Sequence, residues 1–216
     1  AGLLGAPGLE PLDLGVDVSI QATSKYPGGS ADLLGGSIVT RDDALAERIS
    51  KVVVNLGLSV SPDDAYLVLR GLRTMTTRMD RHAASGIAVA EWIKSRPEVA
   101  QVLHPALPGD KYHELWKRDF SGAAGLFAFS LRPPAATADV NAFLNALELF
   151  GLGFSWGGYE SLAIPCDPQL RRTAAKPDFG GKLIRLSIGL EDPDDLIADL
   201  EAGFSALAAS LAGRSA

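Results

Sequence analysis

The chain has 216 residues, 47% of them hydrophobic and 21% charged, enough for one large domain or two smaller ones with a substantial core. Its net charge of −6, with no basic stripe beyond the short Arg171-Arg172 pair, argues against nucleic acid as a main partner. No apolar run reads as long enough to cross a bilayer, the N-terminus lacks the basic start and apolar centre of a secretory signal, and a single cysteine, Cys166, excludes an internal disulfide framework and fits a reducing, cytoplasmic setting.

The first residue is Ala1, and residues 1–10, with glycine at 2, 5 and 8, read as a chain entered in mid-loop, as truncation or cleavage would leave it. Residues 16–20 are a short apolar run, expected to end as a strand at Val18-Ser19-Ile20. A small-residue turn follows, Gln21-Ala22-Thr23-Ser24-Lys25-Tyr26-Pro27-Gly28-Gly29, and then a second expected strand over 32–40, with Gly35-Gly36 permitting a bulge or a close backbone approach. Residues 42–54 have helical spacing, with Leu45, Ile49, Val52 and Val53 opposite Arg48 and Lys51. Ser61 is a good N-cap, followed by Pro62 at the first helical position and Asp63-Asp64 in the first turn. From Tyr66 to Ile93 the apolar pattern hardly breaks, predicting one very long helix or two in tandem, with a domain boundary near Gly71 that divides residues 1–71 from 72–216.

The second part alternates. Strands are expected over 99–103, 125–131 and 182–188, with short strand-like pieces at 153–156 and 162–164. Helices are expected over 110–118, over 137–150 with Thr137 as its cap, and over 194–211 with Asp194-Asp195 at its positive end. Strands interleaved with helices predict an α/β or α+β domain.

Three constellations point to chemistry. Lys25 stands in a tight turn between two strands, close to buried backbone, where an amine becomes available for Schiff-base chemistry with an aldehyde cofactor. A surface loop lysine would have the same spacing. Ser24 and the neighbouring backbone groups could donate to a cofactor phosphate. The run Phe154-Ser155-Trp156-Gly157-Gly158-Tyr159 sets a flat apolar wall with one donor beside two glycines, or else a core tryptophan beside a hairpin turn. Arg185 interrupts a strand of Leu and Ile and needs a partner, because an unpaired buried charge is costly. A carboxylate is the natural one, either from the protein or from an amino-acid substrate. The three histidines and Cys166 are scattered without metal-ligand spacing, so no metal site is expected, and His82, His104 and His113 read as structural or exposed.

Together these segments resemble the Cys/Met-metabolism family of pyridoxal-phosphate enzymes, in the fold-type I group. Four stretches carry the resemblance in the family's order. They are Asp17 to Tyr26 around the lysine, Leu69-Arg70-Gly71-Leu72-Arg73-Thr74, Val102-Leu103-His104-Pro105-Ala106-Leu107-Pro108-Gly109, and Leu183-Ile184-Arg185-Leu186-Ser187-Ile188-Gly189-Leu190-Glu191-Asp192. Within the family, Ser155-Trp156-Gly157-Gly158-Tyr159-Glu160-Ser161-Leu162 looks like the bacterial cystathionine β-lyase branch. Ala22 stands where many relatives have a phosphate-binding serine, and Ser24 replaces the usual threonine.

The resemblance implies an α/β fold. Residues 1–71 would be the C-terminal part of the cofactor-binding large domain, and residues 72–216 a small domain with a mainly antiparallel sheet. The phosphate loop, the ring-stacking tyrosine and the aspartate that pairs with the pyridine nitrogen lie upstream in the family, so an N-terminal segment is missing from this chain. The resemblance further implies pyridoxal 5′-phosphate as cofactor, held on Lys25 with Ser24 nearby. Arg185, Ser155 and Trp156 would bind a small amino-acid thioether. The implied activity is α,β-elimination of cystathionine in methionine biosynthesis, in a cytoplasmic homotetramer, with a γ-synthase, a γ-lyase or an inactive isolated fragment as the alternatives.

Overall fold

The computed structural model describes residues 10–174 and 178–214; the mid-loop start inferred for residues 1–10 lies, up to residue 9, outside them. Strands β1 (Ser19–Ala22) and β2 (Gly36–Val39) pair antiparallel, Ser19 opposite Val39 and Ala22 opposite Gly36. The second strand is shorter than expected because the backbone before it is committed to the turn. Thr23 N–H donates to the Gly35 carbonyl at 3.0 Å, and Gly35 N–H donates to Ser24 Oγ at 3.1 Å. Helix α1 (Asp43–Asn55) is capped by the Asp42 carboxylate on Leu45 N–H, and α2 (Pro62–Leu72) by Ser61 Oγ on Asp64 N–H.

The long apolar pattern forms two helices, α2 and α3 (Met75–Lys94). Thr74 makes the break: its N–H and its hydroxyl both turn back on the Gly71 carbonyl, at 3.1 and 3.2 Å. Gly71 has a second role. A Cβ there would lie 2.3 Å from the carbonyl oxygens of Pro27 and Gly28, so its bare backbone lets α2 pack directly on the lysine turn.

Residues 75–214 build a five-stranded sheet in the order β3-β4-β7-β6-β5. Its strands are β3 (Val99–Leu103), β4 (Leu126–Leu131), β5 (Gly151–Leu152), β6 (Leu162–Pro165) and β7 (Lys182–Ser187), antiparallel except for the β5–β6 pair. Helix α4 (His113–Asp119) lies between β3 and β4 in sequence, α5 (Thr137–Asn145) follows β4, and α6 (Pro193–Arg214) closes the chain. The core brings Phe127, Phe129, Leu131, Ile184 and Leu186 of the sheet against Val89 and Ile93 of α3, Val140 and Phe143 of α5, and Leu196, Leu200, Phe204 and Leu207 of α6. Each such side chain contributes about 1.5–3 kcal/mol by leaving water.

Several expectations are corrected. Helix α4 begins at His113 rather than 110. Helix α5 ends at Asn145, not at 150, because the buried Asp199 carboxylate of α6 takes the N–H groups of Glu148, Leu149 and Phe150 at 2.8, 3.0 and 3.1 Å. Those donors then cannot continue the helix. Its cap is Ala136, not Thr137: the Asp139 carboxylate accepts Ala136 N–H at 2.7 Å. Residues 153–156 are not a strand; β5 lies at 151–152. Finally, α6 is, by length and composition, apolar enough to cross a membrane, although its acidic first turns hide this in the sequence. Here it packs on the sheet through Leu196, Leu200, Phe204 and Leu207.

Candidate active site

The lysine turn is closed by its own backbone. Lys25 N–H donates to the Ala22 carbonyl at 3.2 Å, Gly28 N–H to Thr23 at 2.8 Å and Gly29 N–H to Lys25 at 2.8 Å. Tyr26 anchors it. Only 1% exposed, its ring packs with Met79 and Ala124 and with the half-buried Met75 and Trp156. Burial pushes its phenol up to about 12. The Tyr26 ring also meets the edge of His82 at 5.3 Å. His82, on α3, is fully buried with Nδ1 2.8 Å from the Ile188 carbonyl. A carbonyl only accepts, so Nδ1 carries the proton. Burial pulls the His82 pKa down and favours the neutral ring. Turn, helix and the end of β7 are thereby joined under Lys25.

Arg185 sits mid-strand in β7, paired with Ala128 of β4 and Ile164 of β6. Its neighbours Ile184 and Leu186 enter the core, so alternation puts Arg185 on the opposite face. Among the described residues its hydrogen-bond partners are no carboxylate but the carbonyls of Gly153, Phe154 and Ser155, at 3.4, 2.8 and 3.1 Å. Those carbonyls are turned onto the guanidinium instead of a sheet ladder, which is why 153–156 is a loop. Burial lowers the Arg185 pKa, and its Nε is buried without a partner.

The same loop reaches the lysine. Lys25 Nζ donates to Ser155 Oγ at 2.9 Å. It lies 4.3 Å from the centre of the Trp156 ring, and Arg185 Cζ lies 5.7 Å from it. Two cations far apart in sequence thus share one indole, whose Nε1 is also buried and unpartnered. A cluster with two positive charges and two spare N–H donors attracts an anionic group. Gly157, at φ +80°, completes the seat: a Cβ would approach Tyr26 N to 2.9 Å and its ring to 3.2 Å.

Of the five site residues expected from sequence, Lys25, Ser155, Trp156 and Arg185 come together. Ser24 does not join them: its hydroxyl accepts from Gly35 N–H and lies 3.4 Å from the Gly35 carbonyl, holding the turn. Cys166 lies against the backbone of Arg185, and His104 and His113 bond elsewhere. Burial raises the Cys166 thiol. His104 Nδ1 accepts Ala106 N–H at 3.3 Å, and His113 Nδ1 donates to the Pro105 carbonyl at 2.9 Å. The supporting roles of Tyr26, His82 and Gly157 escaped the sequence. Only the Gly157-Gly158 pair carried a signal, as backbone permitting close approach.

Known proteins share the sequence and the fold of this chain. The family model described as "Cys/Met metabolism PLP-dependent enzyme" matches residues 4–205. A putative cystathionine beta-lyase of Rhizobium johnstonii is 50% identical over 202 residues, 92% of this chain and 50% of its own length. The cystathionine beta-lyase MetC of Escherichia coli K12 is 47% identical over 197 residues, covering 90% of this chain and 50% of that protein. Among solved structures, cystathionine gamma synthase from Xanthomonas oryzae pv. oryzae in complex with cystathionine superposes with a TM-score of 0.85 at 37% identity, over 94% of this chain and 53% of that one. The chain spans about half the length of the curated relatives it matches. Its α/β architecture is that of the fold-type I pyridoxal-phosphate enzymes, and the cofactor that goes with it is pyridoxal 5′-phosphate. On the match over residues 4–205 and the identity to these relatives, the chain belongs to the Cys/Met metabolism family of PLP-dependent enzymes.

Proposed function

We propose that the protein containing this chain is a carbon–sulfur lyase that splits L-cystathionine by α,β-elimination into homocysteine, pyruvate and ammonia. The observation that carries the reading is the convergence of Lys25, Ser155, Trp156 and Arg185, with Trp156 Nε1 and Arg185 Nε left unpartnered. These residues fit pyridoxal phosphate: the Lys25 amine is held by a single hydroxyl that can release it, and the donors near it suit an amino-acid carboxylate. When bound, the cofactor supplies an aldehyde carbon for the lysine or substrate amine and a sink for the electrons left at Cα. Its phosphate, ring face and pyridine nitrogen would be held by residues outside this chain.

Each residue has a separate task. Arg185, already oriented by three carbonyls, clamps the substrate α-carboxylate through its remaining N–H groups, and Trp156 Nε1 donates beside it. Trp156 walls the pocket and excludes water. Ser155 Oγ holds the Lys25 amine in reach of the α-proton. Lys25 takes that proton as base and returns one to the departing sulfur as acid, since one amine can serve both steps.

Elimination at Cβ rather than Cγ is supported by Trp156-Gly157-Gly158-Tyr159 and by the beta-lyase names of the two relatives. The reading extends to a cytoplasmic homotetramer in methionine biosynthesis, in keeping with one free cysteine. The test is product analysis of the full-length protein with L-cystathionine. Pyruvate and homocysteine are expected; 2-oxobutanoate and cysteine would assign a γ-lyase instead.

A further inference from the structure

The loop bearing Ser155 and Trp156 is fixed at two ends. At the first, Arg185 holds the carbonyls of residues 153–155. The second anchor is Ser161, which is fully buried. Its N–H donates to Glu191 Oε1 at 2.7 Å and its hydroxyl to Glu191 Oε2 at 2.8 Å, while the same hydroxyl accepts Gly189 N–H at 2.8 Å. Leu190 N–H donates to the Tyr159 carbonyl at 2.8 Å. A Cβ on Gly189 would lie 2.2 Å from that carbonyl oxygen, so loop and strand end meet backbone to backbone. Arg81 of α3 holds the Glu191 carbonyl at 3.1 Å.

Glu191 is not needed as a cap for α6. Asp192 does that work, its carboxylate accepting Asp194 N–H at 2.9 Å. Between Ser155 and Ser161 lie Gly157 and Gly158, which give the segment little stiffness of its own. The place of Ser155 Oγ on the Lys25 amine therefore depends on the two anchors together with the packing of Trp156 and Gly157 against Tyr26.

We propose that Glu191, acting through Ser161, is a positioning residue that holds the Ser155–Trp156 loop against the end of β7 and so keeps the Lys25 amine oriented. This rests on the reading of Lys25, Ser155, Trp156 and Arg185 as the active site. The Glu191 carboxylate bonds to Ser161 and not to Lys25, Ser155, Trp156 or Arg185. Its carboxylate matters as a double acceptor facing two donors on one residue. Glutamine keeps the shape but turns an NH2 group toward one of those donors.

The test uses the full-length, cofactor-loaded protein as wild type, Glu191→Gln and Ser161→Ala. The second variant removes the hydroxyl from the other side should the first fail to fold. Two readouts are taken: hydrogen exchange of peptides covering residues 153–160, with β4 as internal reference, and kcat separately from KM. In both variants exchange over 153–160 should quicken about tenfold or more while β4 is unchanged, and kcat should fall about tenfold with the cofactor still bound. Exchange that quickens no more at 153–160 than in β4, or kcat/KM within about twofold of wild type, would overturn the proposal. Failure of the underlying site reading shows elsewhere, as a Lys25→Ala variant that keeps the visible absorbance of the lysine-bound cofactor.

Discussion

At the scale of the residue, Arg185 shows what the sequence could and could not supply. An arginine inside a Leu/Ile strand announced that it needed partners, and a protein carboxylate was one of the two candidates. The structure gives it carbonyls of residues 153–155 instead, and no local pattern encodes a contact spanning about thirty residues. His82 was less legible still. A lone histidine on an apolar helix carries no sign that it will be buried between Tyr26 and Ile188. Its environment has a pH consequence. The folded-state pKa of His82 lies below its unfolded value because burial disfavours the charged ring, and His104 is shifted the same way. The stability they contribute is complete above about pH 6.5 and is lost as pH falls toward the folded values, at up to about 1.4 kcal/mol per pH unit for each. Urea unfolding at pH 7.0 and 5.5 should show this loss. A His82→Asn variant, less stable at pH 7.0 but unable to titrate, should show a smaller loss; an undiminished one would assign the pH dependence to other groups.

The elements were easier to read than their ends. Among the described residues, periodicity located the six α-helices and four strands of the larger sheet, β3, β4, β6 and β7, but not the exposed two-residue β5. It failed where a distant side chain took over the backbone: Asp199 ending α5, Arg185 unzipping 153–156, and Gly35 tied to the lysine turn. The segment at 153–161 is the element on which the site depends, and Gly157 is its tightest point. Gly157→Ala would force a side chain into φ +80° and against Tyr26 N, at a cost of about 2 kcal/mol or more. Gly158→Ala is the control. Its Cβ would meet only the Ala31 methyl, at an ordinary 3.6 Å, and should change stability by no more than about 0.5 kcal/mol. Thermal unfolding of the pair, read alongside kcat, checks this; equal effects would remove Gly157 from the account.

For the whole molecule, apolar exposure is concentrated in the first part. Val54, Leu56 and Leu58 are 75%, 67% and 60% exposed, and Ile20, Leu34, Leu69 and Leu72 also face outward. Residues 75–214 have one large core, whereas side chains before residue 73 are buried mainly at the turn, as Tyr26 and Leu33. So much exposed apolar surface in this part of the chain calls for a cover, in keeping with a chain that spans about half of its relatives. The isolated 216-residue chain is therefore expected to self-associate at micromolar concentration and to bind a hydrophobic dye; a monodisperse monomer that binds none would contradict this. The family was legible because four short stretches kept their order, whereas the site's geometry became visible only when the fold brought Lys25, Ser155, Trp156 and Arg185 around one indole. The central claim is that Lys25 carries the cofactor. Borohydride reduction of the cofactor-loaded full-length protein, followed by peptide mapping, tests it directly. The account predicts a pyridoxyl-phosphate mass increment on Lys25 alone, and an increment on any other lysine would contradict it.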